Sequence, residues 1–299
     1  MDSYDIVILG AGPAGIQAGI HSARRGMTVL LLGKAQNSAV ILGHFENYAF
    51  VEGPVTGEAL VKVGMAQVKK AGAVLLEEDA IGLETAEGGF TVKVESGKEL
   101  GCKAVVLATG IARRKLGVPG EKEFEGKGVS YCVDCDAGFF KKKKVLVTGD
   151  GSAAASGALH LLHFTQDVTL VADRLAVAEG LMGELKGSLV RVLEGLKVAK
   201  IVGDDVVTGV VLSDGRSVPA SGVFIEKGAK GILELGASLG LALNEEGYLA
   251  VDRNMATNVL GVFAAGDVTG RPWQMAKAVG EGCVAGLKAA EHVKGRGAG

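Results

Sequence analysis

Two stretches of the chain share one grammar, and that repetition restricts the fold more than any other feature. In the first, an apolar run at 5–9 meets Gly10-Ala-Gly-Pro-Ala-Gly15, helical spacing runs to Arg25, and residues 28–32 are apolar again. In the second, residues 144–148 lead into Gly149-Asp-Gly-Ser-Ala-Ala154, a helical stretch to Phe164 and an apolar run at 168–171. Strand, glycine turn, helix, strand is the βαβ unit of a parallel sheet. The expected fold class is therefore α/β, with two Rossmann-like three-layer nucleotide-binding domains. A length of 299 residues suits two domains.

Between and after these units the pattern predicts further strands. Residues 89–94 alternate like an exposed strand, and 104–108 form a short buried one ending in Thr109-Gly110. Residues 203–217 read as a hairpin turning at Asp214-Gly215. Residues 261–265 are a buried strand closed by Gly266-Asp267, and 275–294 have helical spacing. Boundaries near 110–119 and 236–247 make the first domain discontinuous. It would comprise 1–112 and 245–299, with 116–240 inserted into it.

A hydrophobic fraction of 48% and a net charge of -2 describe a globular chain without a nucleic-acid footprint. The 47 glycines suit tight turns and close backbone approaches to ligands. No apolar run is long enough to span a bilayer, so no membrane partner is expected. The start of the chain enters an apolar strand without the basic segment of a signal peptide. Four cysteines in a chain of this length do not make a disulfide scaffold, so a cytoplasmic setting is expected.

In Gly10-x-Gly12-x-x-Gly15 each glycine has its own task. The first makes the tight turn, the second lets backbone approach a pyrophosphate, and the third lets helix pack on strand. The phosphate would meet free amides at the positive end of the helix. The motif alone does not separate FAD from NAD, and a turn that binds nothing is the bland alternative.

Cys132-Val-Asp-Cys135 is the chemical centre of the sequence. Two thiols at this spacing can close a small disulfide ring, and can attack or resolve a mixed disulfide once one of them ionises. Zinc would need a second ligand pair, but Cys102 and Cys283 stand alone and read as small hydrophobes. No metal is expected.

The segment Ser130-Tyr-Cys-Val-Asp-Cys-Asp-Ala-Gly-Phe-Phe140 resembles the low-molecular-weight thioredoxin reductases, as do Gly117-Val-Pro-Gly120, Val262-Phe-Ala-Ala-Gly-Asp-Val268 and residues 280–283. The resemblance covers nearly the whole chain. Ala108-Thr109-Gly110 and Gly266-Asp267 resemble the second and third signatures of two-dinucleotide-binding flavoproteins. It implies FAD as cofactor, held by Gly10, Gly12, Pro13, Ala14, Gly15, Gly33, Asn47, Thr109, Gly110, Gly266, Asp267 and Gln274. Asp267 would hold the ribityl chain, a role compatible with a helix cap. It further implies that Cys135 faces the flavin, that Cys132 attacks a partner disulfide, and that Asp136 is the general acid/base beside them. A helix cap is the alternative for Asp136, and Asp134 reads as a solvated charge. The partner would be a thioredoxin-like protein and the assembly a homodimer.

The second nucleotide site departs from that family. Asp150 puts a carboxylate inside the phosphate turn, and the next strand ends Val171-Ala-Asp-Arg174 where the family carries a cationic cluster for the 2′-phosphate. Glu226-Lys-Gly-Ala-Lys-Gly231 replaces the stretch that lines the nicotinamide. These changes disfavour NADPH. Asp173 leaves NADH as the lesser possibility, through the ribose hydroxyls. The preferred reading is a flavin-dependent disulfide reductase that passes electrons through Cys132 and Cys135, similar to the ferredoxin-dependent flavin thioredoxin reductases. The run from Lys141 to Lys144 would dock an acidic donor such as ferredoxin, or be only a solvated turn. Trp273 would shield the flavin or pack in a core. The other readings are an ordinary NAD(P)H-dependent thioredoxin reductase, a flavin and disulfide redox sensor without turnover, and a peroxide-forming oxidase.

Overall fold

The computed structural model describes residues 2–41, 43–111, 115–131, 133–227 and 235–296. The chain forms two compact units, one of Met1–Val94, Lys98–Ile111 and Ser238–Gly299, the other of Glu95–Gly97 and Ala112–Ala237. The second lies within the sequence of the first.

The first unit is built on β1 (Asp2–Leu9), β2 (Val29–Leu32), β5 (Val74–Leu76), β6 (Ala80–Ala86), β7 (Gly89–Val94), β8 (Glu99–Leu107) and β17 (Val262–Ala264), with the two-residue strands β3 (His44–Phe45) and β4 (Val55–Thr56) paired separately. The sheet order is β5-β2-β1-β8-β7-β6. β1, β2, β5, β8 and β17 run parallel, and the β6–β7–β8 meander is antiparallel. One edge of β8 is shared: β7 pairs with Glu99 to Cys102 and β17 with Val105 to Leu107. Ile6 to Leu9 and all of β2 are buried. Strands covered on both faces read as continuous apolar runs, which is why these segments carry no alternation.

Three helices flank this sheet: α1 (Pro13–Arg24), α2 (Gly57–Lys70) and α6 (Met275–Arg296). Proline suits the first turn of α1, where no amide partner is lost. α6 lies directly on α1. A Cβ on Gly282 would overlap the carbonyl of Ala14, and one on Gly286 that of Ala18. The buried Ser22 hydroxyl donates to the Gly286 carbonyl at 3.0 Å. The sheet face beneath is filled by Ile6, Ile8, Leu31, Val106 and Phe263.

The second unit has a parallel sheet in the order β12-β11-β10-β16-β9, formed by β9 (Val129–Ser130), β10 (Val145–Thr148), β11 (Val168–Ala172), β12 (Arg191–Glu194) and β16 (Gly222–Ile225). One face carries α3 (Val133–Asp136), α4 (Ser152–Leu161) and α5 (Glu179–Lys186), packed through Val133, Ala155, Leu161, Leu170 and Leu181. The other carries an antiparallel sheet of β13 (Val198–Gly203), β14 (Val207–Leu212) and β15 (Ser217–Pro219), packed through Ile201, Val210, Leu146 and Val223. These are the three layers of a Rossmann-like unit.

Two sequence expectations change in detail. The hairpin expected at 203–217 is a three-stranded meander. Asp214 and Gly215 turn β14 into β15, while Gly203 ends β13, so the alternation counted as one hairpin is parts of two. The helix expected to reach Phe164 stops at Leu161. His163 and Phe164 amides bond three residues back, to His160 and Leu161, and tighten the end of the helix.

Candidate active site

The glycine turn of the first unit lies between β1 and α1. Gly10 has φ +113°, and a Cβ there would overlap the carbonyl of Ala108. A Cβ on Gly15 would overlap the carbonyl of Gly10, so the turn closes only with glycine at both places. Gly12 caps α1 without a side-chain hydrogen bond, and Pro13 donates nothing. The amides of Ala14 and Gly15 therefore belong to the first-turn donors that an α-helix leaves without an internal acceptor. An anionic pyrophosphate fits that end of a helix.

Two further segments border the turn. Ala108, whose amide donates to the Leu9 carbonyl at 2.8 Å, brings Thr109 and Gly110 past Gly10. The Thr109 hydroxyl oxygen is buried with no hydrogen-bond partner among the described residues. Gly266, at φ +87°, sits with Ala14 where a Cβ would come within 3.0 Å of the alanine methyl. Asp267 follows it, half-buried in a short 3₁₀ turn capped by Gly266. Burial raises its carboxyl above the ordinary value; Lys277 opposes the shift and Glu281 adds to it. A cradle of glycines, free helix amides and an orphaned hydroxyl fits a flavin dinucleotide. Asn47 joins the same unit through its amide, which donates to Gln274 Oε1 at 3.2 Å. Gly33, at φ +145°, lies at the end of β2, where a Cβ would come within 3.0 Å of the Ala11 amide nitrogen.

A network that the sequence reading missed holds Gly266 and Thr269. Lys277 Nζ donates to the Gly266 carbonyl (2.9 Å), Thr269 Oγ1 (2.8 Å) and Glu281 Oε2 (3.1 Å). Glu281 Oε2 in turn accepts the Gly266 amide at 2.9 Å. The i, i+4 spacing of Lys277 and Glu281 was the readable signal, but it marks a surface pair as often as an inner one.

In the second unit, Cys135 lies on α3, and Cys132 lies outside the described residues. Asp136 ends α3 and does not cap the following 3₁₀ turn by its side chain. Its Oδ2 accepts the hydroxyl of buried Ser130, on β9, at 2.7 Å. Tyr131 donates to Glu121 Oε1 at 2.9 Å, and Lys115 sits over its ring. Glu121 also accepts the amides of Leu116, Gly117 and Val118. At the foot of α3, Glu226 is 4% exposed, and its Oε1 accepts the Val133 amide at 3.0 Å.

The second glycine turn is engaged by the unit's own carboxylates. Asp150 Oδ1 accepts the amides of Asp173 (2.7 Å) and Arg174 (3.4 Å), and its carbonyl accepts that of Ala176 at 2.8 Å. Glu194 Oε1 accepts the Leu175 amide at 3.1 Å, and Asp173 pairs with Lys197 at 3.0 Å. Lys141 to Lys144 are exposed, with Lys143 over the Phe140 ring. Trp273 is 46% exposed under the Arg271 guanidinium, so it is not packed in a core. Cys102 and Cys283 are free thiols; burial pushes the Cys102 thiol up to about 12. No described helix is long and apolar enough to cross a membrane.

The family model of pyridine nucleotide-disulphide oxidoreductases matches residues 4–282. The chain belongs to that family. It is 34% identical over 304 residues to a thioredoxin reductase of Listeria monocytogenes, covering 97% of this chain and 94% of the relative. An atypical thioredoxin reductase, TRi, from Desulfovibrio vulgaris Hildenborough has a similar structure, with TM-score 0.83 and 36% identity over 97% of this chain and 98% of that one. A ferredoxin-flavin thioredoxin reductase from Clostridium acetobutylicum has TM-score 0.71 and 30% identity over 99% of both chains. Membership in the pyridine nucleotide-disulphide oxidoreductases, with thioredoxin reductases at this identity over full length, makes the chain a flavin-dependent disulfide reductase of the thioredoxin reductase kind.

Proposed function

We propose that this reductase takes electrons from a donor other than NADPH and delivers them through Cys132 and Cys135 to a thioredoxin-like protein. One observation carries the reading: Asp150 spends its carboxylate on the amides of Asp173 and Arg174, where the adenosine side of a pyridine nucleotide would have to bind. A 2′-phosphate there would meet two carboxylates and one arginine, with Lys197 already paired to Asp173. NADH fares little better, because Asp173 would have to leave that pair to reach a ribose hydroxyl. The likeness to a ferredoxin-flavin thioredoxin reductase supports a low-potential protein donor such as ferredoxin, for which exposed Lys141 to Lys144 offer positive charge.

On this reading FAD occupies a discontinuous domain of residues 1–112 and 245–299, held at the pyrophosphate by Gly10, Gly12, Pro13, Ala14 and Gly15. Gly33, Asn47, Thr109, Gly110, Gly266, Asp267 and Gln274 complete its contacts. The flavin, when bound, would supply the electron pair that reduces the Cys132–Cys135 disulfide to the dithiol. Cys132 attacks the partner disulfide and Cys135 resolves the mixed disulfide. Asp136 moves the proton between solvent and thiol, and the Ser130 hydroxyl fixes the orientation of its carboxylate. The enzyme works as a cytoplasmic homodimer.

The test is anaerobic reduction of the purified flavoprotein, followed by flavin absorbance, with NADPH, NADH and reduced ferredoxin in turn. Bleaching by ferredoxin alone is the expected result. Rapid bleaching by either pyridine nucleotide would overturn the donor assignment.

A further inference from the structure

Glu226 is a buried acidic residue that neither the flavin cradle nor the proton-transfer role of Asp136 uses. Its backbone ends the central β10–β16 pairing: the Glu226 amide donates to the Thr148 carbonyl at 2.9 Å. Its carbonyl sits so close to Gly149 that a Cβ there would overlap it. Its side chain turns away from the glycine turn, passing 3.8 Å from the place where a Cβ on Gly157 of α4 would stand. The carboxylate then ends on the Val133 amide, at 3.0 Å. That amide belongs to the peptide bond between Cys132 and Val133. Val133 itself is 1% exposed, against α4.

A hydrogen bond to a charged acceptor in a site this buried is strong and directional. It ties the start of α3 to the sheet. As a carboxylate, Glu226 would repel a thiolate formed near that turn and so oppose ionisation of the pair. Thiolate exists only in the reduced state of the pair. A charge that disfavours it weakens the reduced state against the disulfide and makes the couple more reducing.

We propose that Glu226 is a positioning residue of the dithiol, which fixes the start of α3, the helix that carries Cys135, and by its charge keeps the pair strongly reducing. The proposal rests on the dithiol being the exchange centre. In that exchange the Cys132 thiolate attacks the partner disulfide, forming a mixed disulfide and releasing one partner thiolate, which takes a proton. The Cys135 thiolate then attacks the Cys132 sulfur and releases the second partner thiol. Two electrons have moved to the partner, and the Cys132–Cys135 disulfide remains. Glu226 enters no bond in this sequence; it sets how far the exchange runs.

The experiment uses the full-length holoenzyme, equilibrated anaerobically in mixtures of reduced and oxidised dithiothreitol. Acid quenching, thiol labelling and peptide mass analysis then read the redox state of Cys132 and Cys135. Glu226→Gln keeps an acceptor for the Val133 amide and removes the charge. It is expected to move the equilibrium about tenfold toward the dithiol, about 30 mV for a two-electron couple. Glu226→Asp, which keeps the charge, is expected to stay within half of that shift, and circular dichroism checks that both variants fold. An unshifted Gln variant, or Gln and Asp variants that shift alike, overturns the proposal. A wild-type chain in which Cys132 and Cys135 do not interconvert at all would instead overturn the dithiol reading beneath it.

Discussion

The carboxylate of Asp150 accepts the backbone amide of Asp173 at 2.7 Å, so the second glycine turn is tied to the end of β11 by a residue of its own. Glycine spacing survives at Gly149 and Gly151, while the amides of Asp173 and Arg174 are taken by Asp150.

Asp150→Gly removes that tie without adding a cation. It is expected to lower the stability of the chain by about 1 kcal/mol, as for loss of an exposed charge-assisted hydrogen bond. NADPH should still fail to bleach the flavin, because Arg174 stands alone against Asp173. Chemical denaturation and anaerobic absorbance read the two effects separately, and rapid bleaching in this variant would show that the tie alone excludes the nucleotide.

Asp136→Asn keeps an acceptor for Ser130 but cannot carry the proton. Reduction of a thioredoxin disulfide, driven by a chemical reductant, should fall by about 10²- to 10⁴-fold with flavin content unchanged. Ser130→Ala, which only frees the carboxylate, should cost far less. Equal losses in the two variants would reduce Asp136 to a structural role.

Lys277 and Glu281 are mostly buried and share the Gly266 to Thr269 turn. Removing one partner strands the other, so Lys277→Ala should cost about 3 kcal/mol and speed FAD release. The double change Lys277→Met with Glu281→Gln should be milder than the single one. Thermal melts and the rate of flavin fluorescence recovery on release measure both, and simple additivity would show that the pair does not act as a unit.

Glu121 gives an acid-side signature. Burial alone would raise its carboxyl, but hydrogen bonds from Tyr131 and the amides of Gly117, Leu116 and Val118 outweigh it and hold the group below its ordinary 4.5. A carboxyl lowered by folding adds stability above its unfolded value and loses it as pH falls through the folded one. Unfolding free energy should therefore drop below about pH 4.5, and Glu121→Gln should be less stable at neutral pH with a shallower acid limb. An acid limb as steep as that of the wild type would count against this assignment.

The α/β class and both glycine turns were legible because they rest on local grammar: apolar runs, then glycines where backbone must pass close to backbone. The antiparallel meander was only half legible, since its two turns at Asp204-Asp205 and Asp214-Gly215 enclose runs that fit one hairpin as well as two. The partners of Asp150 and Glu226 were not legible at all. Asp150 and Glu226 stood out as misfits, but the donors to their carboxylates, the amides of Asp173 and Val133, lie 23 and 93 residues away in sequence. The Ser130 bond to Asp136 spans only six residues, yet β9 and α3 must both form before it exists.

Gly282 and Gly286 press α6 against the carbonyls of Ala14 and Ala18, near the opposite end of the chain. The first glycine turn is thus backed by residues synthesised more than 250 positions after it. The inserted unit, whose sheets and helices lie between residues 112 and 237, has all its parts much earlier. The usual order in which the N-terminal domain folds first is reversed. A nascent chain completes the unit that carries Cys135 before α6 can back the turn at Gly10.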